Sequence, residues 1–131
     1  MQLIGMLDSP YGRRVAIALI NGKSPFIHRP ISLFRHVDQF SKLNPLLKAP
    51  TVLTDDGTAL MDSSVILDYL AGVDPRIAAL TPSKAPQRLK AARATGLALT
   101  VMEKRCSATM SVCCAQSKSS TGHGSIGLWV N

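Results

Sequence analysis

The first eighty residues of the sequence predict an α/β domain with a four-stranded mixed sheet and three helices. A short apolar run at residues 2–7 and a strand-like alternation of apolar and basic residues over 26–31 flank a segment, 11–20, in which apolar residues recur at helical spacing. Further along, a run rich in β-branched residues at 51–54 and a returning strand at 59–61 precede another helical segment. The predicted element order is therefore β-α-β-α-β-β-α.

The first strand, helix and strand form one unit. The apolar run 2–7 stops at the turn sequence Asp-Ser-Pro, and the helix closes at Asn21-Gly22 as a C-cap would. Basic and apolar residues alternate over 26–31, where Pro30 favours a sheet edge or a strand end. Because two strands joined by a helix in one sheet normally run parallel, residues 2–31 predict a βαβ crossover.

The second half of the domain contains a hairpin and a helix. A short irregular helix is expected at 36–43. The turn Asp-Asp-Gly joins the strands 51–54 and 59–61, which predicts an antiparallel pair. Asp62 and Ser63 then supply capping residues to a helix over about 64–71.

The remaining residues predict one further helix and an irregular tail. After a linker, Pro86 opens an amphipathic helix over about 87–104. Its apolar stripe is formed by Leu89, Ala92, Gly96, Leu99 and Met102. From Cys106 no period remains, so disorder is expected there. The expected organisation is a domain at 1–80, a linker and helix at 81–105, and a tail at 106–131.

The net charge of +7 does not indicate a nucleic-acid-binding protein. Residues 1–74 hold seven Lys or Arg against seven Asp, whereas residues 75–131 hold eight basic residues and a single acidic one, Glu103. No helix-turn-helix pattern, zinc-finger spacing or interleaving of Arg with aromatic residues accompanies the basic part. A solvated helix face and tail explain the excess charge.

Metal and membrane partners are not expected either. The cysteines, Cys106, Cys113 and Cys114, lack the C-x-x-C spacing of zinc sites, so no metal is predicted. The amino terminus has no basic region followed by a long apolar run, and no stretch of about 18 apolar residues occurs. A cytoplasmic protein without a membrane partner is expected.

Three local patterns occur at a characteristic order and distance. They are S-P-x-x-R-R-V from Ser9, N-P-x-x-K-A-P over 44–50, and D-S-S-x-I-x-x-Y-L over 62–70. With the element order, they make the chain resemble the glutathione S-transferase family. The resemblance covers residues 1 to about 82 and implies the family's thioredoxin-like fold. It also implies cytoplasmic glutathione conjugation to small electrophiles, which serves detoxification, by a protein that is usually a homodimer.

The resemblance implies that Ser9 is the catalytic residue, beside the thiol of glutathione at the start of the first helix. A thiol pKa of about 8.5 must fall by about 1.5 for half ionisation at neutral pH, which corresponds to about 2 kcal/mol. A hydroxyl donor supplies about 1.5 kcal/mol and a helix amino terminus about 0.3–1 kcal/mol, so no metal is required. The alternative for Ser9 is a plain helix N-cap.

The remaining glutathione-binding candidates also follow from the resemblance. Ala49 and Pro50 match the family's cis-proline site, where the backbone of Ala49 would pair with the cysteinyl part of glutathione. Asp62 and Ser63 match the place that holds the γ-glutamyl carboxylate, at a helix amino terminus suited to anions. Lys48 is a candidate partner for the glycyl carboxylate. The alternatives are a trans proline, a capping pair and a solvated surface lysine.

The family's second, helical domain supplies most of the electrophile pocket, and only its first helix is expected here. The abrupt change of composition near Arg105 has two explanations, a reading-frame change or a natural short form with an unrelated tail, and composition favours the former. Three functions remain open for such a chain. The first is that of a conjugating enzyme or a related glutathione-dependent enzyme. The second is that of a glutathione-binding module without turnover, and the third alternative is a remnant without stable function.

Overall fold

The computed structural model describes residues 1–120, with side chains up to residue 108. The chain divides into two units, Met1–Ala92 and Arg93–Asn131. The first unit contains every strand of the described residues. The second unit is described as far as Ser120 and consists there of helix.

The first unit follows the predicted element order closely. Its four strands and first three helices are β1 Gln2–Ile4, α1 Pro10–Asn21, β2 Ile27–Arg29, α2 Val37–Ser41, β3 Thr51–Leu53, β4 Ala59–Met61 and α3 Ser63–Val73. A four-residue helix, α4 Pro75–Ala78, follows near the end of the predicted domain, where no helix was predicted. The predicted elements are therefore all present, and α4 is an addition.

The four strands form one mixed sheet in the order β2-β1-β3-β4. β1 pairs parallel with β2, as the βαβ crossover predicts, with Leu3 opposite His28. β1 pairs antiparallel with β3, and β3 pairs antiparallel with β4 across the hairpin. The thioredoxin-like fold implied by the sequence is confirmed.

Side chains on the two faces of the sheet fill two separate cores. Neighbouring strand residues point to opposite faces, so Leu3 and Ile4 belong to different clusters. Leu3 lies with the larger cluster, which α1, α3 and α4 cover and which contains Val15, Ala16, Ala18, Leu19, Val52, Ile66, Leu70 and Ile77. Ile4 packs with Ile31 and Phe40 of the smaller cluster. Both faces of the sheet are thus covered by packed side chains.

The last helix, α5, spans Ala85–Ser120 and corrects the prediction of a helix ending near Lys104. The expected irregular structure from Cys106 is wrong as far as Ser120. Loss of apolar period removes a packing face but does not end a helix, and no Gly or Pro occurs from Leu97 to Ser120. The rest of the predicted tail, 121–131, lies outside the described residues.

Candidate functional site

Ser9 lies at the amino end of α1, as predicted. It is the N-cap residue, with φ −66° and ψ 123°, and its carbonyl accepts a hydrogen bond from the N–H of Arg13 at 3.0 Å. Pro10 occupies the first helical turn. Within the described part of the chain, the half-buried Ser9 side chain makes no capping hydrogen bond. The side-chain cap that competes with a functional role for Ser9 is therefore not formed.

The close packing of the first loop on α1 depends on Gly12. A Cβ at this buried position would lie 2.9 Å from the carbonyl oxygen of Met6 and 4.0 Å from Cβ of Ser9. A separation of 2.9 Å is shorter than ordinary van der Waals contact, so the loop can approach the helix this closely only at glycine. Gly12 therefore fixes where the loop that carries Ser9 lies.

The loop before β3 is held by a buried amide. Asn44, only 1% exposed, donates through Nδ2 to Thr51 Oγ1 at 2.9 Å and to the carbonyl of Lys48 at 3.2 Å. Thr51 donates its hydroxyl to the same carbonyl at 2.7 Å. The peptide bond between Ala49 and Pro50 is cis, which confirms the predicted conformation. The pattern N-P-x-x-K-A-P therefore builds one hydrogen-bonded loop that positions Lys48, Ala49 and Pro50.

Asp62 begins α3 in an unusual backbone conformation. Its φ of 70° lies in the left-handed region, which is uncommon for a residue other than glycine. Its Oδ1 accepts from the N–H of Ser64 at 2.8 Å, and its Oδ2 lies 3.7 Å from Nζ of Lys48. The Ser64 N–H, together with the charge of Lys48, holds the pKa of Asp62 below its usual range. Lys48 thus lies beside Asp62, an arrangement the sequence did not predict.

Arg14 joins the starts of α1 and α3. Its Nη1 donates to Ser63 Oγ at 3.2 Å and to Ser64 Oγ at 3.1 Å. Burial lowers the pKa of Arg14, and the nearby charge of Asp62 opposes that effect. Arg14 was not among the site residues predicted from the sequence. The only signal was its place in the pattern S-P-x-x-R-R-V, because a partner 49 residues away is not visible in local sequence.

The predicted site residues therefore lie on three connected parts of the fold, which are the start of α1, the loop before β3 and the start of α3. Lys48 and Asp62 are in direct contact, and Ala49 and Pro50 follow Lys48 in the same loop. Ser63, only 4% exposed, is tied to α1 through Arg14. Ser9 belongs to the arrangement because it starts the helix that carries Arg14. Two helix amino termini with serines on them suit a ligand that carries negative charge.

Neither a metal centre nor a membrane segment is evident in the described residues. No group of three or more His, Cys, Asp or Glu lies together there in a way that could hold a metal ion. Among the same residues, no helix combines the length and apolar character needed to cross a bilayer.

The sheet order, the loop with the cis proline and the paired helix starts define a thioredoxin-like domain. Residues 3–76 match the family model described as the glutathione S-transferase N-terminal domain. This match covers more than half of the chain, and the chain belongs to that family. No curated protein matches the chain at a significant level.

Several solved structures are similar to this chain. A glutathione S-transferase from Methylobacillus flagellatus, with GSH bound, is 28% identical with a TM-score of 0.71, covering 83% of this chain and 54% of its own. A glutathione S-transferase from Drosophila melanogaster, isozyme E7, is 27% identical with a TM-score of 0.57. The match covers 67% of this chain and 41% of the Drosophila chain. A maleyl pyruvate isomerase, described as a bacterial glutathione S-transferase of the Zeta class, is 27% identical with a TM-score of 0.59. The match covers 69% of this chain and 43% of the isomerase chain. This chain thus spans about half of each of these structures or less.

Proposed function

We propose that this chain binds glutathione and lowers the pKa of its thiol, with Ser9 as the hydroxyl donor. The observation that carries the proposal is the state of Ser9. It is the N-cap residue of α1, where the resemblance to the family places the thiol site, and its hydroxyl makes no capping hydrogen bond among the described residues. A hydroxyl that is not used to close the helix is available to a ligand, and the helix amino terminus favours the thiolate over the thiol.

The peptide part of glutathione has a matching set of groups. We place its γ-glutamyl group at Asp62 and Ser63, with the carboxylate on the N–H groups of the first turn of α3 and the hydroxyl of Ser63, and the ammonium beside the ionised side chain of Asp62. We place the cysteinyl backbone at Ala49 and Pro50. Lys48 forms an ion pair with Asp62 in the described structure. To bind the glycyl carboxylate, Lys48 must therefore leave Asp62 and pair with the ligand. Both side chains are about half exposed, at 59% and 46%, so this exchange costs little.

Conjugation of glutathione to small electrophiles is the reaction we assign to the ionised thiol. The thiolate would attack the electrophilic carbon, form the carbon–sulfur bond and release the leaving group, while Ser9 stabilises the sulfur charge before the attack. The second candidate is a glutathione-binding module without turnover. It is supported by the assignment of groups in the described residues, because every candidate group described above is assigned to glutathione and none to an electrophile.

Calorimetric titration of the purified chain with glutathione, followed by a conjugation assay with a small chloroaromatic electrophile, tests the proposal. Binding together with turnover above the uncatalysed rate supports the enzyme. Binding without turnover, accompanied by a lowered thiol pKa of bound glutathione, selects the binding module. Failure of the folded chain to bind glutathione would contradict both.

A further inference from the structure

The loop that leads from β1 to Ser9 begins at Gly5. Gly5 has a φ of 130°, a conformation that glycine adopts easily and other residues rarely adopt. A Cβ built on Gly5 would lie 3.4 Å from Cβ of Ala49 and 3.8 Å from Cα of Pro50. Gly5 therefore lies where the loop that carries Ser9 meets the loop with the cis proline.

Two hydrogen bonds join Gly5 to β2. Its N–H donates to the carbonyl of Arg29 at 3.1 Å, which extends the pairing of β1 with β2. Its own carbonyl oxygen lies 2.9 Å from Nε2 of the half-buried His28. Because a carbonyl can only accept hydrogen bonds, Nε2 carries a hydrogen in both the neutral and the charged ring. The bond from His28 to Gly5 therefore exists in either protonation state.

The far end of the same loop is fixed on α1. Arg13 donates from Nη2 to the carbonyl of Asp8 at 3.2 Å and from its backbone N–H to the carbonyl of Ser9 at 3.0 Å. These bonds hold the loop relative to α1, whereas His28 holds it relative to the sheet. Since glycine does not by itself favour one chain direction, the hydrogen bonds at Gly5 set the direction in which the loop leaves β1.

We infer that His28 is a positioning residue, which acts through the carbonyl of Gly5 to place the hydroxyl of Ser9. This inference rests on the proposed function, in which Ser9 meets the thiol of glutathione and Ala49 holds the backbone of the same cysteinyl residue. A shift of the loop would move the hydroxyl away from a sulfur whose backbone stays at Ala49. Because a hydrogen bond weakens steeply as its geometry departs from the ideal, the thiolate would lose stabilisation while the peptide contacts remain.

The first measurement concerns the tautomer of His28 in the wild-type chain. Nitrogen NMR of the imidazole rings, recorded above the pH at which the ring loses its charge, distinguishes a hydrogen on Nε2 from one on Nδ1. The resonance of His28 is identified by its absence in His28→Gln. We expect the Nε2–H tautomer. The Nδ1–H tautomer would overturn the inference, because Nε2 without a hydrogen cannot donate to the carbonyl of Gly5.

The second measurement is the thiol pKa of glutathione bound to variants of the full chain, obtained from ultraviolet thiolate absorbance. His28→Leu removes the donor, and we expect the thiol pKa to rise by about 0.5, because a displaced Ser9 hydroxyl keeps only part of its bond to the sulfur. His28→Gln keeps an N–H donor at the ε position of the side chain and should restore the wild-type value.

Two further variants separate positioning from stability. Ile77→Val shortens a buried side chain of α4 and lowers the midpoint of urea unfolding, but Ile77 is not part of the loop. The thiol pKa of glutathione bound to Ile77→Val should equal the wild-type value. If His28→Leu does not fold, as judged by circular dichroism, His28→Thr replaces it, because threonine favours strands and its hydroxyl is too short to reach Gly5.

The outcomes distinguish this inference from the proposed function. A raised thiol pKa in His28→Leu, with wild-type values in His28→Gln and Ile77→Val, supports the positioning role. Three results would overturn the inference and leave glutathione binding intact. They are a wild-type thiol pKa in the folded variant without the donor, an equal rise in His28→Gln or Ile77→Val, and failure of both His28→Leu and His28→Thr to fold. Failure of the folded wild-type chain to bind glutathione, or to lower its thiol pKa, would overturn both.

Discussion

Asn44 donates its side-chain amide to the hydroxyl of Thr51 across 2.9 Å, and both residues are almost fully buried. Its Oδ1 also accepts from the N–H of Leu46 at 3.0 Å, so both ends of the amide are used. Through the carbonyl of Lys48, these bonds fix the loop that presents the candidate binding residues before β3. The stability of this loop should therefore depend on one polar side chain.

Asn44→Ala should lower the free energy of unfolding by about 1–3 kcal/mol, because buried groups that paired with the amide lose their partner. Urea unfolding followed by circular dichroism measures this change. Ser41→Ala is a suitable control, since the exposed Ser41 hydroxyl makes a single bond to the carbonyl of Asp38. We expect an effect within about 0.5 kcal/mol there. Equal losses in the two variants would contradict the role assigned to Asn44.

Gly12 and Gly72 should respond in opposite directions to alanine. A Cβ at Gly12 would meet the backbone oxygen of Met6 at 2.9 Å, so Gly12→Ala should destabilise the fold by about 1–3 kcal/mol and displace the loop carrying Ser9. Gly72 lies in α3 with no atom within 4 Å of an added Cβ in the described structure. Gly72→Ala should stabilise the protein by up to about 1 kcal/mol. Thermal unfolding of both variants checks the prediction, which a stabilised Gly12→Ala would refute.

The pH dependence of stability should reflect Asp74. Its carboxylate caps α4 and accepts from Arg76 Nε at 3.0 Å, from Arg76 Nη2 at 2.9 Å and from the hydroxyl of Ser24. The hydrogen bonds from Arg76, followed by that from Ser24, hold the pKa of Asp74 well below its usual range. The folded chain therefore keeps this carboxylate charged at pH values where the unfolded chain takes up a proton.

It follows that the stabilisation from Asp74 is complete above its ordinary pKa of about 3.9 and is lost as pH falls toward the lowered folded value. Asp74→Asn should have a lower free energy of unfolding than the wild type at neutral pH. This difference in unfolding free energy should become smaller below about pH 4. Urea unfolding at a series of pH values measures it. Ser24→Ala removes one hydrogen-bond donor to Asp74, so it should lower the free energy of unfolding by a smaller amount. That loss should also become smaller below about pH 4. A difference that stays constant with pH would exclude this explanation.

Local signals were sufficient to predict most of the fold. The hairpin β3–β4 follows from a β-branched run and an Asp-Asp-Gly turn, and the start and end of α1 follow from Pro10 and the Asn21-Gly22 pair. The helix α4 has a local signal too, because Asp74 caps it and Pro75 occupies its first turn. It was missed because four residues are too few to show a helical period.

The contacts that assemble the candidate site were beyond local sequence. The bonds from Arg14 to Ser63 and Ser64 join segments about fifty residues apart, and only packing of α1 and α3 on the same sheet face brings them together. The ion pair between Lys48 and Asp62 likewise depends on the hairpin. The resemblance to a family predicted which residues form the candidate site, whereas hydrogen-bond partners required the fold.

The last prediction concerns the thiol of bound glutathione. Ser9→Ala should raise the pKa of that thiol, because a hydroxyl donor stabilises the thiolate far more than the neutral thiol. Loss of a bond worth about 1.5 kcal/mol corresponds to a pKa increase of about 1. Affinity at low pH should change little, since the thiol is neutral there and the peptide part keeps its contacts. Ultraviolet thiolate absorbance titrated against pH, beside calorimetric binding, measures both quantities.

Ser63→Ala is the matched comparison, because it removes a hydroxyl of the same kind from the peptide end of the site. It should weaken binding at every pH in the titrated range with little change in thiol ionisation, since its proposed partner is a carboxylate that stays charged throughout. The two variants should therefore separate, one changing the thiol pKa and the other the affinity. If the thiol of glutathione bound to Ser9→Ala titrates as in the wild type, Ser9 only begins the helix and is not the catalytic residue.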